Sequence, residues 1–118
     1  FEPLAIAFKR VVNILKGFKN GSVDPTLFET DAERDLYEAW MELEAKVEDF
    51  LEKGEYREAM AHLVKFREPV DSFFEGVLVM AQDEKIRHNR LSLLEAIANL
   101  FYRVADFSKI VTEKLTQG

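Results

Sequence analysis

Apolar residues return along this chain at steps of three and four, the spacing that lines one side of an α-helix, and the alternation expected of a half-buried strand is nearly absent. Leu4, Phe8, Val11, Val12 and Leu15 share one face of a first predicted helix, from about Leu4 to Lys16, with Gly17 as its stop. Lys9, Asn13 and Lys16 fall on the opposite face. A longer seam of Leu36, Trp40, Leu43, Val47 and Phe50 predicts a second helix that ends at Gly54. Tyr56, Met60, Leu63 and Phe66 mark a third, from about Tyr56 to Arg67; Pro69 ends or kinks it and is placed to start a fourth, anchored by Phe73, Phe74 and Val77. The longest helix is expected from about Glu84 to Glu113, with Leu93, Ile97, Leu100, Val104, Phe107 and Val111 inward and Thr116 to Gly118 frayed.

The polar punctuation agrees with those seams. Gly17 to Gly21 reads as a turn, because the Asn20-Gly21 pair tolerates positive φ. Asp24 before Pro25 is a cap followed by proline at a first helical position, opening a single turn through Phe28. Thr30 and Glu33 have capping-box spacing, and Asp83 closes the loop Ala81 to Asp83 as a cap for the last helix. Together these features predict an all-α fold, a helical bundle of about five helices forming a single domain over residues 1–118.

Composition narrows the class. At 118 residues, 47% hydrophobic and 32% charged, the chain can bury a self-sufficient core and does not resemble a disordered segment. No apolar run approaches the roughly 20 residues needed to span a bilayer. The absence of cysteine excludes disulfides and thiolate metal sites. The chain starts at Phe1 and enters a helical pattern almost at once, so the expectation is a piece of a longer polypeptide. A net charge of −6 looks wrong for a nucleic-acid binder, but residues 31–58 hold eleven acids against four bases, and the remainder nets +1.

The stretch from Phe66 to Ile110 carries the most specific signal. Arg67, Glu68, Pro69, Val70, Asp71, Ser72, Phe73 and Phe74 are followed by Val77, Val79 and Met80, then Asp83, Glu84, Arg87, Asn89, Arg90 and Leu91, then Arg103, Val104, Ala105 and Asp106. With Lys9, Arg10, Val11, Val12, Asn13, Ile14 and Leu15 near the start, this order resembles the C-terminal anticodon-binding domain of bacterial glycyl-tRNA synthetase beta subunits, of the DALR-like type. The resemblance implies a tRNA-binding appendage of a longer beta chain in the cytoplasm. ATP-dependent charging of tRNA with glycine would take place elsewhere, and no cofactor would be held in this domain. It further implies glycine tRNA, other beta-subunit domains and an alpha subunit, in an assembly of two alpha and two beta chains, as partners. The alternatives are a non-catalytic helical protein-interaction module docking through the acidic helix, and an anticodon domain of another synthetase such as arginyl.

Anticodon loops are read by stacking on splayed bases, hydrogen bonds to base edges and clamps on phosphates. Suitable groups are Lys9, Asn13 and Lys16 on the first helix, and Lys85, Arg87, His88, Asn89 and Arg90 at the start of the last. A basic groove results if the bundle sets those ends side by side. Exposed cations on helices usually only solvate a face, and Arg87 or Arg90 can equally pair with Asp83, Glu84 or Glu95. Asn13 and Asn89 are weak helix formers that either meet a base edge or bond a neighbouring loop's backbone. Glycine codons imply two anticodon cytosines, whose exocyclic amine is best met by a carboxylate, which makes Asp83 and Glu84 candidate readers.

Other chemistry is weaker. Phe73, Phe74 and Trp40 are expected in the core. Glu58 with His62 and Glu84 with His88 are four apart, whereas di-iron bundles use Glu-x-x-His, so no metal is expected. Neither a catalytic constellation nor a glycine-rich phosphate loop is present.

Overall fold

Three short polar side chains set where helices begin. Asp24 accepts the Thr26 backbone N–H at 3.0 Å. The Thr30 hydroxyl accepts the Glu33 N–H at 3.2 Å while the Glu33 carboxylate accepts the Thr30 N–H at 3.1 Å, a reciprocal capping box. Asp83 Oδ1 accepts the N–H groups of Lys85 and Ile86 at 2.8 and 3.1 Å. The computed structural model describes the backbone of residues 2–117 and the side chains of residues 6–104. Within it lie α1 (Glu2–Leu15), a 3-10 turn (Pro25–Leu27), α2 (Asp31–Glu52), α3 (Tyr56–Lys65), α4 (Arg67–Gly76) and α5 (Glu84–Gln117). There is no strand among the described residues.

Helix α5 is the axis of the bundle, with α1, α2 and α3 packed on it and α4 bridging α1 and α2. Its stripe of Leu93, Leu94, Ile97, Leu100, Phe101 and Val104 is buried against Val11 of α1, Leu36, Leu43 and Val47 of α2, Leu63 of α3, and Val70 and Phe73 of α4. Phe8 meets Phe101 and Tyr102 edge-on at 5.1 and 5.2 Å, and Phe18 meets His88 at 5.1 Å, so α1 and α5 run antiparallel. Across the bundle, Arg103 of α5 pairs with Glu44 and Glu48, which ties up part of the acidic helix.

Several boundaries differ from those expected. Helix α1 stops at Leu15 because Lys16 and Gly17 both take positive φ, 46° and 83°; Lys16 therefore does not continue the Lys9–Asn13 face. Pro69 is the third residue of α4, which starts at Arg67, with Phe66 alone separating α3 from α4. A proline is tolerated there because the first-turn N–H groups of a helix have no acceptor anyway. The last helix continues to Gln117 rather than Glu113. The expected inward positions Leu4, Phe107 and Val111 lie outside the described side chains. Phe73 is fully buried; Phe74 is half-buried, with the Arg10 guanidinium 4.3 Å above its ring. Trp40 packs against the core beside Tyr37.

Candidate nucleic-acid interface

The end of the bundle where α1 finishes and α5 begins is assembled by two loops laid onto the first turns of α5. The first is the strap from Lys16 to Asp24. Its left-handed entry at Lys16 and Gly17 is secured by the Phe18 N–H on the Leu15 carbonyl at 2.9 Å. The strap then crosses α5: the Gly21 N–H donates to Glu95 Oε1 at 2.8 Å, and the Asp24 N–H donates to Asn89 Oδ1 at 2.7 Å. Asn89 Nδ2 returns a bond to the Asp24 carbonyl at 3.0 Å. Gly21 is required by proximity, since a Cβ there would stand 2.3 Å from Ser92 Oγ and 2.6 Å from the Phe18 ring.

The second loop spans residues 77–83. Arg90 Nη1 donates to the Leu78 carbonyl at 2.7 Å, and Arg87 Nη1 to the Ala81 carbonyl at 3.1 Å. On its other side Arg90 Nη2 lies 3.1 Å from both Glu29 Oε1 and Glu33 Oε1. Glu33 Oε1 also accepts the N–H groups of Glu29 and Thr30 and the Thr30 hydroxyl. The pair is not a two-pronged fork: Glu33 Oε2 and Arg90 Nε are buried without a partner among the described residues. Burial pushes the Glu33 carboxyl up, but the Arg90 hydrogen bond, the Glu29 N–H, the Thr30 hydroxyl and the Arg90 charge outweigh it and hold the group below the usual carboxylate range.

Of the residues singled out from the sequence, Asn89 and Arg90 are 1% and 6% exposed and are committed to loop backbone and to Glu29 and Glu33. Between base edge and loop backbone, the Asn89 amide takes the backbone. Arg87 and Arg90 do not pair with Asp83, Glu84 or Glu95; their partners are carbonyls of the 77–83 loop and, for Arg90, glutamates some 60 residues distant. Asp83 uses one carboxylate oxygen as the α5 cap. Lys9, Asn13, Lys16, Glu84 and Lys85 are exposed, and Arg87 is half-buried. Lys16 and Lys85 thus stand at the joined ends, whereas Lys9 and Asn13 lie back along the solvent side of α1. His62 rests its Nδ1 2.9 Å from the Glu58 carbonyl.

Between the strap and α5 is an open depression of about 340 Å³ lined by Phe18, Glu84, Arg87, His88 and Leu91. Phe18 was not among the sequence candidates. Its signal was available: one aromatic in a glycine-flanked loop, with Lys16 and Lys19 on either side.

A family model described as the DALR anticodon binding domain matches residues 4–113. The chain is 55% identical over 113 residues to the glycine–tRNA ligase beta subunit of Syntrophus aciditrophicus (strain SB), a match covering 96% of this chain and 16% of that protein. The corresponding beta subunits of Syntrophotalea carbinolica and Geobacter sp. (strain M21) are 50% and 46% identical over 110 residues, covering 93% of this chain and again 16% of theirs. The chain therefore spans about one sixth of the length of these relatives. It belongs to the DALR anticodon-binding domain family.

Proposed function

We propose that this chain binds the anticodon region of glycine tRNA as an appended domain of a glycine–tRNA ligase beta subunit, contributing affinity and specificity while ATP-dependent aminoacylation takes place elsewhere in a cytoplasmic enzyme of two alpha and two beta chains. The supporting observation is the joined end of α1 and α5. There Arg87 and Phe18 line a depression, and Lys16, Lys19 and Lys85, close to them in sequence, are exposed. Cations of this kind clamp phosphates, and a concave aromatic surface suits unstacked bases. Lys9 and Asn13 extend the basic surface along α1. Asn89 and Arg90 act by holding the two loops in place, and Asp83 by capping α5. On this reading ATP and any other cofactor are held outside the domain.

The experiment is a titration of the intact enzyme with glycine tRNA at two salt concentrations, with Lys16, Lys85 and Arg87 neutralised singly. Phosphate-led binding falls steeply with salt, and each lost contact lowers the slope of log K against log salt by about 0.7 to 0.9. Salt-insensitive association, unchanged by all three substitutions, would sink the reading. That result would favour protein docking instead, for which the depression between α2 and α4 lined by Asp35 and Glu68 is one surface among the described residues.

A further inference from the structure

The depression beside Phe18 is lined by a carboxylate, a guanidinium and an aromatic ring, from Glu84, Arg87 and Phe18. Glu84 is exposed, and its carboxylate has no hydrogen-bond or ion-pair partner among the described residues. Arg87, one turn along, gives one N–H to the Ala81 carbonyl; its remaining guanidinium N–H groups make no other hydrogen bond among those residues. Phe18 is held by the close approach of Gly21 on one side and the His88 ring at 5.1 Å on another, so its ring is fixed before any ligand arrives. The volume of about 340 Å³ falls at the small end of ligand pockets.

We propose that this depression takes a single unstacked cytosine base: Phe18 is its stacking surface, Glu84 accepts from the exocyclic amine, and Arg87 donates to the adjacent ring nitrogen or carbonyl. An acceptor beside a donor matches the Watson–Crick edge of cytosine, which offers an amine and then two acceptors. In the pose that sets the cytosine amine on Glu84, uracil and guanine turn a carbonyl to the carboxylate; to pair both groups they must slide until N3–H or N1–H meets Glu84, which displaces the ring on Phe18. Adenine shares the favourable order but is a larger purine, and glycine anticodons supply cytosine at two positions. Lys16 and Lys19, flanking Phe18 in sequence and exposed, are placed to meet the phosphates of such a nucleotide. The inference rests on the anticodon reading above; it chooses Glu84 over Asp83, which caps α5, and adds a stacking residue and a donor, Phe18 and Arg87.

The test uses the intact enzyme and short hairpin RNAs bearing the two glycine anticodon cytosines, or the same hairpin with either cytosine changed to uridine. Phe18→Leu keeps an apolar side chain on the bundle but removes the ring face; it should weaken binding of the cytosine hairpin by roughly tenfold. Glu84→Gln, at an exposed position, should leave the fold intact and narrow the cytosine-to-uridine preference at one position, because an amide can also donate to the uracil carbonyl. A thermal melt separates loss of fold from loss of binding in the Phe18 variant, and Glu84→Gln decides alone if that variant fails to fold. Unchanged affinity and preference in both variants, with RNA binding still steeply salt-dependent, would overturn the pocket and leave the tRNA reading standing. Binding by the unaltered enzyme that neither responds to salt nor distinguishes the hairpins would overturn both.

Discussion

From Leu93 to Val104, every buried side chain of α5 is apolar; one turn earlier, Asn89, Arg90 and Ser92 are buried and polar. The same helix thus joins the bundle by two kinds of interaction. The apolar stretch packs against whatever volume its neighbours leave, which is non-directional and adapts to small shifts. The polar stretch bonds named backbone groups, the Asp24 N–H and carbonyl and the Leu78 carbonyl, and so fixes where two loops lie. Those loops carry or border Phe18 and Arg87. The polar turn therefore serves the candidate site, and the apolar turns serve the fold.

The sharpest way to break that contrast is at Glu33. Replacing it with Ala leaves the Arg90 guanidinium 6% exposed without its buried carboxylate, and should cost about 3–5 kcal/mol in urea unfolding. The double variant Glu33→Leu with Arg90→Met should lose less than the sum of the singles, because it leaves no unpaired buried charge; additive losses in that cycle would mean the two groups are not coupled. Acid offers a second handle. The Glu33 pKa is held below its unfolded value, so the unfolded chain takes up the proton first, and stability falls as pH drops. Its contribution should be fully present well above about pH 4.3, the ordinary glutamate value, and be lost as pH passes through the lowered folded value. A Glu33→Gln variant should show a shallower acid limb.

On the apolar side, Ile97→Ala should cost about 2–5 kcal/mol through lost burial and the cavity left behind. It should do so with no change in pH dependence and with RNA discrimination retained. A change in hairpin preference on Ile97→Ala would show that the two halves of α5 are not separable. Asn89→Ala comes next: it removes both bonds to Asp24 and should cost about 1–3 kcal/mol, with proteolysis of the 17–24 strap as the local readout.

How much of this was legible follows from the range of each interaction. The seam on α2, that on α5 as far as Val104, the Thr30–Glu33 box and the Asp83 cap involve residues within a few turns of one another, and these stand where the pattern put them. The second task of Glu33 depends on a residue 57 positions away, and the Asn89 clamp on one 65 away; no local periodicity encodes such pairings. A trace of them was nonetheless present. Arg90 sits at helical spacing before Leu94, Ile97 and Phe101, on the core stripe itself, and an arginine there needs a buried partner. The sequence leaves Arg90 open between a phosphate contact and an ion pair with a nearby acid; the pair forms, but with the distant Glu29 and Glu33. The same long-range packing brought Phe18 beside His88 and created a wall that neither segment announces by itself.

The smallest expected effect bears on how the strap is launched. Lys16 and Gly17 take φ of 46° and 83°, and a Cβ added at Gly17 would meet nothing within 4 Å. Gly17→Ala therefore tests backbone strain free of any clash, and should cost about 1 kcal/mol in thermal unfolding. Lys16→Gly relieves a side chain from the same region but frees the unfolded chain, so its stability should change by less than about 1 kcal/mol, while the lost charge reduces the salt dependence of tRNA binding. The two neighbours would then separate along the line drawn through α5, one acting on the fold and the other on the ligand. A loss at Gly17→Ala well beyond backbone strain would instead show that the turn and the Phe18 anchor give way together, so that the strap and α5 behave as one cooperative unit.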